Sequence, residues 1–140
     1  MKEGLERIGL IACSARKDER AENDHSLQLK ASEMYKGSDF KKAVEQGLSR
    51  FGCSRYFILS DLHKLLKPDD LITWYDCKNT KWKSWSDDVY SSLKAELGDL
   101  DNYEFIFFTP SIYYKYLKPR LKNCKAVEYN PRHMILTLKP

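Results

Sequence analysis

Residues 8–17 read IGLIACSARK: an uncharged run, Ile8 to Ala12, leads straight into a thiol, a hydroxyl and two cations. A short continuous apolar run marks a strand covered on both faces, as in a parallel sheet, whereas a strand with one wet face alternates. The same signature recurs further along. RYFILS (residues 55–60) and EFIFFT (residues 104–109) are greasy runs of strand length, and each also ends in polar residues, Ser60-Asp61-Leu62-His63 and Thr109-Pro110-Ser111.

The stretches between these runs have helical spacing. Ser38 to Phe51 places Phe40, Ala43, Val44 and Leu48 on one face, with Ser38 as N-cap, Asp39 at the positive end of the dipole and Gly52 as the stop. Trp85 to Leu97 reads as a second helix, N-capped by Ser86, with acids at Asp87 and Asp88 and a stop at Gly98. Ser111 to Leu121 reads as a third, fraying at Pro119, and Lys125–Tyr129 and Met134–Leu138 read as further strands. Strands alternating with helices predict one α/β domain over residues 1–140, a layered fold with a mainly parallel sheet flanked by helices.

Composition agrees with that size. A chain of 140 residues with 42% hydrophobic and 13% aromatic content buries one core, and two domains would be cramped. No apolar run reaches the roughly 18 residues of a membrane span, and the N-terminus meets Arg16-Lys17-Asp18 after a short apolar stretch, so neither a membrane association nor a signal peptide is expected, and the predicted location is cytoplasmic. Cys13, Cys53, Cys77 and Cys124 form no C-x-x-C pair and read as reduced thiols. His25, His63 and His133 have no carboxylate or thiol partner at ligand spacing, so no metal site is predicted, and no cofactor fingerprint is present.

The formal charge of +4 is mild for a nucleic-acid binder, but its distribution is uneven. Residues 111–125, SIYYKYLKPRLKNCK, carry five Lys or Arg and no acid, interleaved with Tyr113, Tyr114, Tyr116 and Leu117. Such a run suits phosphate neutralisation with base stacking; it equally suits an amphipathic helix with its lysines in water. TWYDCKNTKWKSW (residues 73–85) holds three tryptophans and a tyrosine among Lys78, Lys81 and Lys83, either a base-stacking loop or a lid over the core.

Parallel sheets place their ligand crevice beyond the carboxyl ends of their strands, which gathers the three polar exits at one site. At the first, Cys13 is a nucleophile if Arg16 or Lys17 stabilises its thiolate; alternatively the loop and Lys17 receive an anion, or this is an ordinary strand end. It lacks the glycines of a Walker loop. At the second, Ser60 and His63 lie three residues apart: His63 manages a proton beside a hydroxyl, or it is a surface histidine in a capped turn. A Ser-His-Asp hydrolase has little support, since no G-x-S-x-G elbow exists.

The motifs also carry a resemblance. Strand-Cys-Ser-x-x-Lys, then LKASEMYKGSDFKKA (residues 29–43), then FILSDLHKLLKPDDLITWYD (residues 57–76) resemble uncharacterised bacterial and phage domains with the pattern C-[SG]-x-x-K, A-x-x-L-Y-x-S-x-x-F and I-L-S-A-x-H-G-L-x-x-P followed by P-Y-D. The similarity covers residues 8–76. More remotely, those domains resemble YaaA-type peroxide-stress proteins and a domain attached to archaeosine tRNA-modifying enzymes. The resemblance implies nucleic acid and modified bases, and its motif residues here are Cys13, Ser14, Lys17, Tyr35, Ser38, Phe40, Ser60, His63, Pro68 and Tyr75. Phe40 and Pro68 read as architectural. The chain departs from the pattern at Asp61, where a small residue is usual, at Lys64 in place of glycine, and at Trp74 in place of proline.

These readings together predict an enzyme acting on a nucleotide or nucleic-acid base, in base modification or N-glycosidic bond chemistry. Ser60, His63 and Cys13 are its candidate catalytic residues, and Ser14, Lys17, Tyr35, Ser38 and Tyr75 its candidate substrate and phosphate ligands. The competing expectation is a non-catalytic DNA- or RNA-binding module that uses the basic, aromatic stripe.

Overall fold

In the computed structural model of the chain, which describes residues 4–130 and 135–138, the first elements are β1 (Glu6–Ala12), α1 (Glu19–Asn23), β2 (Leu29–Lys30) and α2 (Ala31–Met34). One continuous helical stretch follows, formed by α3 (Ser38–Lys42), a π turn (Ala43–Gly47) and α4 (Leu48–Arg50). Next come β3 (Cys53–Ser60), β4 (Lys64–Leu66), β5 (Leu71–Ile72) and α5 (Trp82–Leu97). The last elements are β6 (Tyr103–Phe108), α6 (Ser111–Tyr114), a 3-10 turn (Lys118–Arg120), β7 (Cys124–Asn130) and β8 (Ile135–Leu138).

The main sheet has the order β4-β3-β1-β6-β7-β8, and β2 pairs with β5 in a small antiparallel sheet. β3, β1, β6 and β7 run parallel; β4 and β8 fold back antiparallel at the edges. The fold is α/β with a mainly parallel sheet, as the apolar runs predict. Their lack of alternation has a direct cause. Ile8, Leu10, Phe57, Leu59, Phe105 and Phe107 pack against Trp85, Val89 and Leu93 of α5 on one face. On the other, Ile11 and Ile58 pack among Met34, Tyr35, Phe40 and Ala43. Each fully buried Ile, Leu or Phe side chain contributes about 1.5–3 kcal/mol.

Two glycines set how closely the helical stretch approaches the sheet. A Cβ on Gly9 would lie 2.5 Å from Leu48 Cδ2, and one on Gly47 would lie 2.5 Å from Phe108 Cε1. Gly47 belongs to the π turn, so the widened turn rests directly on the Phe108 ring.

The chain crosses from β1 to β3 on one side and then, through α5, to β6 on the other. The strand order therefore reverses between β1 and β6, and a crevice is expected beyond their carboxyl ends.

Local differences from the sequence reading have physical reasons. Helix α5 starts at Trp82, so Ser86 is an interior residue, 1% exposed, and Lys81 is the N-cap. Packing of Trp82 against Trp85 and Tyr113 outweighs the capping preference of the serine. Gly37, not Ser38, caps α3; its N–H donates to Ser14 Oγ (3.1 Å), a tertiary bond that a local reading does not contain. The helix expected over Ser111–Leu121 ends at Tyr114. Pro119 lacks an N–H and its ring conflicts with a helical carbonyl four residues earlier, so the chain tightens into the 3-10 turn. Both β4 and the β2–β5 pair escaped the sequence reading, being only two or three residues long, too short for a strand pattern to show. Gly52 and Gly98 do end their helices, at φ +68° and +79°. His133 and Met134 lie outside the described residues. Among the described residues no helix is long and apolar enough to cross a membrane.

Candidate functional site

A crevice of about 630 Å³ opens at the strand reversal. The exit of β1 (Cys13 to Arg16), the start of the helical stretch (Gly37 to Phe40, Lys42, Ala43), the exit of β6 (Phe108 to Ser111, Tyr113) and the end of β7 (Val127, Glu128) line it. Both signs of charge occur, with Arg16 and Lys42 against Asp39 and Glu128. Phe40 and Phe108 supply apolar wall. Of the residues singled out from sequence, Cys13, Ser14 and Ser38 face this space.

Behind its floor lies a polar cluster. Asp61, just past the end of β3, accepts from the Tyr113 hydroxyl through Oδ1 (2.5 Å) and from the Asn79 backbone N–H through Oδ2 (2.9 Å). The Cys13 thiol donates to the same Oδ1 at 3.5 Å and lies 3.8 Å from the Tyr113 hydroxyl. Strand pairing places the thiol there, since Cys13 N–H bonds to the Leu59 carbonyl and extends the β1–β3 register one residue past the sheet. The Tyr113 ring is fixed edge-on to Trp82 and Trp85, with centroids 4.7 and 5.7 Å away.

Burial dominates the electrostatics of this cluster. Burial pushes the Cys13 thiol up, and the nearby Asp61 charge adds to this; hydrogen bonds from the Asp61 backbone and the tyrosines oppose it without reversing the direction. Burial and the neighbouring Cys13 and Asp61 push the Tyr113 phenol up as well. At neutral pH the crevice floor therefore presents a neutral thiol and a neutral phenol, both bonded to Asp61. Moving the thiol proton to a carboxylate costs about 6 kcal/mol on reference pKa values alone. This arrangement suits proton donation and electrostatic stabilisation better than a standing thiolate nucleophile.

The remaining predicted residues meet on the β3 side of Cys13, outside the crevice lining. The Tyr35 and Tyr75 hydroxyls share a hydrogen bond (2.6 Å), and the Tyr75 hydroxyl is 2.9 Å from Ser60 Oγ. Ser60 is fully buried; its Oγ accepts the His63 backbone N–H (3.0 Å), and its carbonyl accepts Trp85 Nε1 (2.9 Å). The His63 imidazole is held against the Tyr75 ring (centroids 5.2 Å), and burial lowers its pKa, partly countered by Asp70. Lys17 Nζ sits 4.4 Å over the Tyr75 ring, while its backbone forms a bridge to Tyr35. Ser60 thus engages the His63 backbone, with Tyr75 between the two side chains.

The tryptophan tract divides. Trp82 and Trp85 are helix residues packed on Tyr113, and Trp74 stacks on His25 at 4.6 Å. Among the described residues no three His, Cys, Asp or Glu side chains gather as a metal-binding group.

Sequence reasoning missed Asp61 and Asn79 as site members and placed Tyr113 in the basic, aromatic stripe, not at the crevice. Asp61 carried a usable signal, a carboxylate at a strand exit where the resembling pattern has a small residue. Nothing in the sequence set Tyr113 apart from Tyr114 and Tyr116 in that stretch. The sequence model of a family of unknown function, DUF6884, matches residues 8–135, and the chain belongs to that family. The match extends well past the motifs of residues 8–76 and takes in every element that lines the crevice. Among curated proteins no match to the chain is found.

Proposed function

We propose that the crevice binds a nucleotide or a nucleic-acid base and that Cys13 and Tyr113 act on it, in N-glycosidic bond chemistry or base modification. The observation that carries this reading is the Cys13 thiol and the Tyr113 hydroxyl both bonded to Asp61 Oδ1 on the floor of a crevice at the strand reversal. Arg16 and the loop from Cys13 onward take a phosphate, with Ser38 and Ser111 at hand for a sugar. The apolar wall of Phe40 and Phe108 receives the flat base.

In glycosidic cleavage the C–N bond breaks with its electron pair going to the base nitrogen. The Cys13 thiol supplies a proton to that nitrogen and is reprotonated from water, while water adds to the sugar carbon. Asp61 orients both donors and stabilises positive charge developing on the sugar; Asp61 is a positioning residue here, since it stands behind the groups that face the crevice. The buried Tyr35–Tyr75–Ser60 chain and His63 hold the loops in place around Cys13.

A thermal-shift titration with nucleotides, nucleosides and free bases tests the reading. A ligand at 100 times its dissociation constant adds about 2.7 kcal/mol, a shift of several degrees for a domain this size. Nucleotides are expected to stabilise the wild type, with the shift lost in Arg16→Ala and retained in Cys13→Ser, while any turnover disappears in Cys13→Ala. No stabilisation by any nucleotide or nucleoside would overturn it.

A further inference from the structure

The outer edge of β3 is covered over only part of its length. β4 pairs with it at Ile58, Leu59 and Ser60, and among the described residues no strand pairs with the stretch from Cys53 to Phe57 on that side. The register fixes which backbone groups face out. Cys13 N–H bonds the Leu59 carbonyl, so Leu59 and Phe57 turn their N–H and C=O groups to β1, whereas Ser60, Ile58 and Tyr56 turn theirs away from it. Ser60 lies opposite Lys64 and Ile58 opposite Leu66, so the next position of the register, opposite Tyr56, falls on Pro68. A proline has no N–H to give the ladder. The chain leaves the edge there: Lys67 N–H turns to the Asp70 carboxylate (2.8 Å), and the Pro68 carbonyl accepts Ser32 N–H (3.0 Å). Ser54 is the extra residue of a bulge against β1, so the regular part of the open edge is short and centred on Tyr56.

This edge opens onto a second cavity of about 670 Å³, which shares no lining residue with the crevice. Its charges are sorted by face. Tyr56 and Leu48 pack on the face opposite α5, where the Asp70 carbonyl is tied to Ala31 N–H, and the charged lining residues on that face are Asp69 and Asp70. Asp69 has a long contact with Lys30 (3.7 Å), and its side chain is 85% exposed. On the α5 face, Arg55 lies over the Tyr103 ring and pairs with Glu6, and Lys67 pairs with Glu96. Directly opposed residues of a strand pair share a face. A residue opposite Tyr56 therefore projects beside the Tyr56 ring toward two carboxylates, which suits a side chain with an apolar stem and a cationic head.

We propose that the open edge of β3 docks an extended segment of a partner protein, which adds a strand antiparallel to β3 in line with β4 and places a lysine or arginine opposite Tyr56. The backbone of that residue exchanges both hydrogen bonds with Tyr56, supplying what Pro68 cannot, and its cation meets Asp69 and Asp70. The site stands apart from the crevice and does not depend on the nucleotide reading.

The test is an NMR titration of the ¹⁵N-labelled full chain with a capped heptapeptide, Thr-Val-Thr-Lys-Thr-Val-Thr, at millimolar concentration. Expected are shifts centred on the amides of Tyr56, Lys67, Asp69 and Asp70, with slowed hydrogen exchange at the Tyr56 amide. N-methylation of the central lysine should abolish binding, and glutamate in its place should weaken binding about tenfold. In the variant Asp69→Asn/Asp70→Asn, where asparagine keeps an acceptor for Lys67 N–H, the lysine and glutamate peptides should bind alike. Unmoved edge amides, equal binding of the N-methylated peptide, or shifts centred on Cys13 to Arg16 would overturn the proposal. Concentration-dependent shifts of the same amides without peptide would assign the edge to a second copy of the chain and overturn the partner assignment.

Discussion

On the β3 side of Cys13, the hydroxyls of Tyr35, Tyr75 and Ser60 bond to one another and to the backbone of the His63 turn, and the two tyrosine rings and Ser60 are largely buried. On the β6 side, Ser38 and Ser111 are exposed at the crevice and make no side-chain hydrogen bond among the described residues. Similar residue types thus do opposite work a few ångströms apart. Hydroxyls that satisfy one another fix a shape; hydroxyls left to water can be exchanged for a ligand. The Tyr35–Tyr75–Ser60 side is the frame, and the side lined by Ser38 and Ser111 is where a ligand has room.

Trp85 joins the two sides and is where the contrast breaks most severely. Its indole N–H bonds the Ser60 carbonyl and its ring packs on Tyr113. Trp85→Ala is expected to destabilise the fold by about 3–5 kcal/mol, measured by urea unfolding, and to disturb both sides together. A loss under about 1 kcal/mol would show that the sides are held independently.

Next in size is a pair of hydroxyl deletions that separates them. Tyr75→Phe strands the buried hydroxyls of Tyr35 and Ser60 and should cost about 1–3 kcal/mol with no change in nucleotide-induced thermal shift. Tyr113→Phe removes the donor to Asp61 at the crevice floor and is expected to cost less stability, about 1 kcal/mol, and to abolish turnover. Equal stability losses with equal effects on ligand response would erase the distinction between frame and site.

Acid should loosen the frame first. Asp18 accepts from the Arg20 side chain and backbone and pairs with Lys36, and hydrogen bonding to Arg20 holds its carboxyl at about 2. A carboxyl held below its unfolded value, near 3.9, contributes stability that is complete above that value and lost as pH falls through the folded one. Asp18 N–H also bonds the Met34 carbonyl in the strip that carries Lys17 and Tyr35. Wild type should therefore lose stability between about pH 4 and pH 2 more steeply than Asp18→Asn; parallel pH profiles would deny Asp18 this role.

Much of this contrast was legible in the sequence, and the rest failed for identifiable reasons. IGLIA, RYFILS and EFIFFT each needed two covered faces, which dictated the parallel sheet and hence the end where a crevice forms. Gly52 and Gly98 announced helix ends because only a positive φ closes those turns cheaply. What could not be read was which polar residues would find each other: Tyr35 and Tyr75 are 40 positions apart, and Tyr113 and Asp61 are 52 apart. Their pairing is a property of strand order. Spacing along the chain grouped Ser60 with His63, yet the turn directs the His63 N–H to Ser60 and leaves the imidazole against Tyr75.

The smallest expected effect concerns the turn that follows β3. Lys64 has φ +67°, the one non-glycine positive φ among the described residues, at the place where the resembling pattern carries glycine. The departure thus changes the residue and keeps the backbone that glycine would prefer, at a cost of roughly 1–2 kcal/mol for an L side chain. Part of that is returned by an exposed ion pair with Asp88 (2.7 Å), worth at most about 1 kcal/mol. Lys64→Gly should therefore leave stability unchanged or raise it by up to about 1 kcal/mol, the added freedom of glycine in the unfolded chain offsetting some of the strain relief. Nucleotide response should be unaltered, because Lys64 is outside the crevice lining. A clear loss of stability would mean that the Asp88 pair matters more than the strained φ, and that the β3–β4 turn is held by charge across to α5 rather than by the Ser60 hydroxyl at its start.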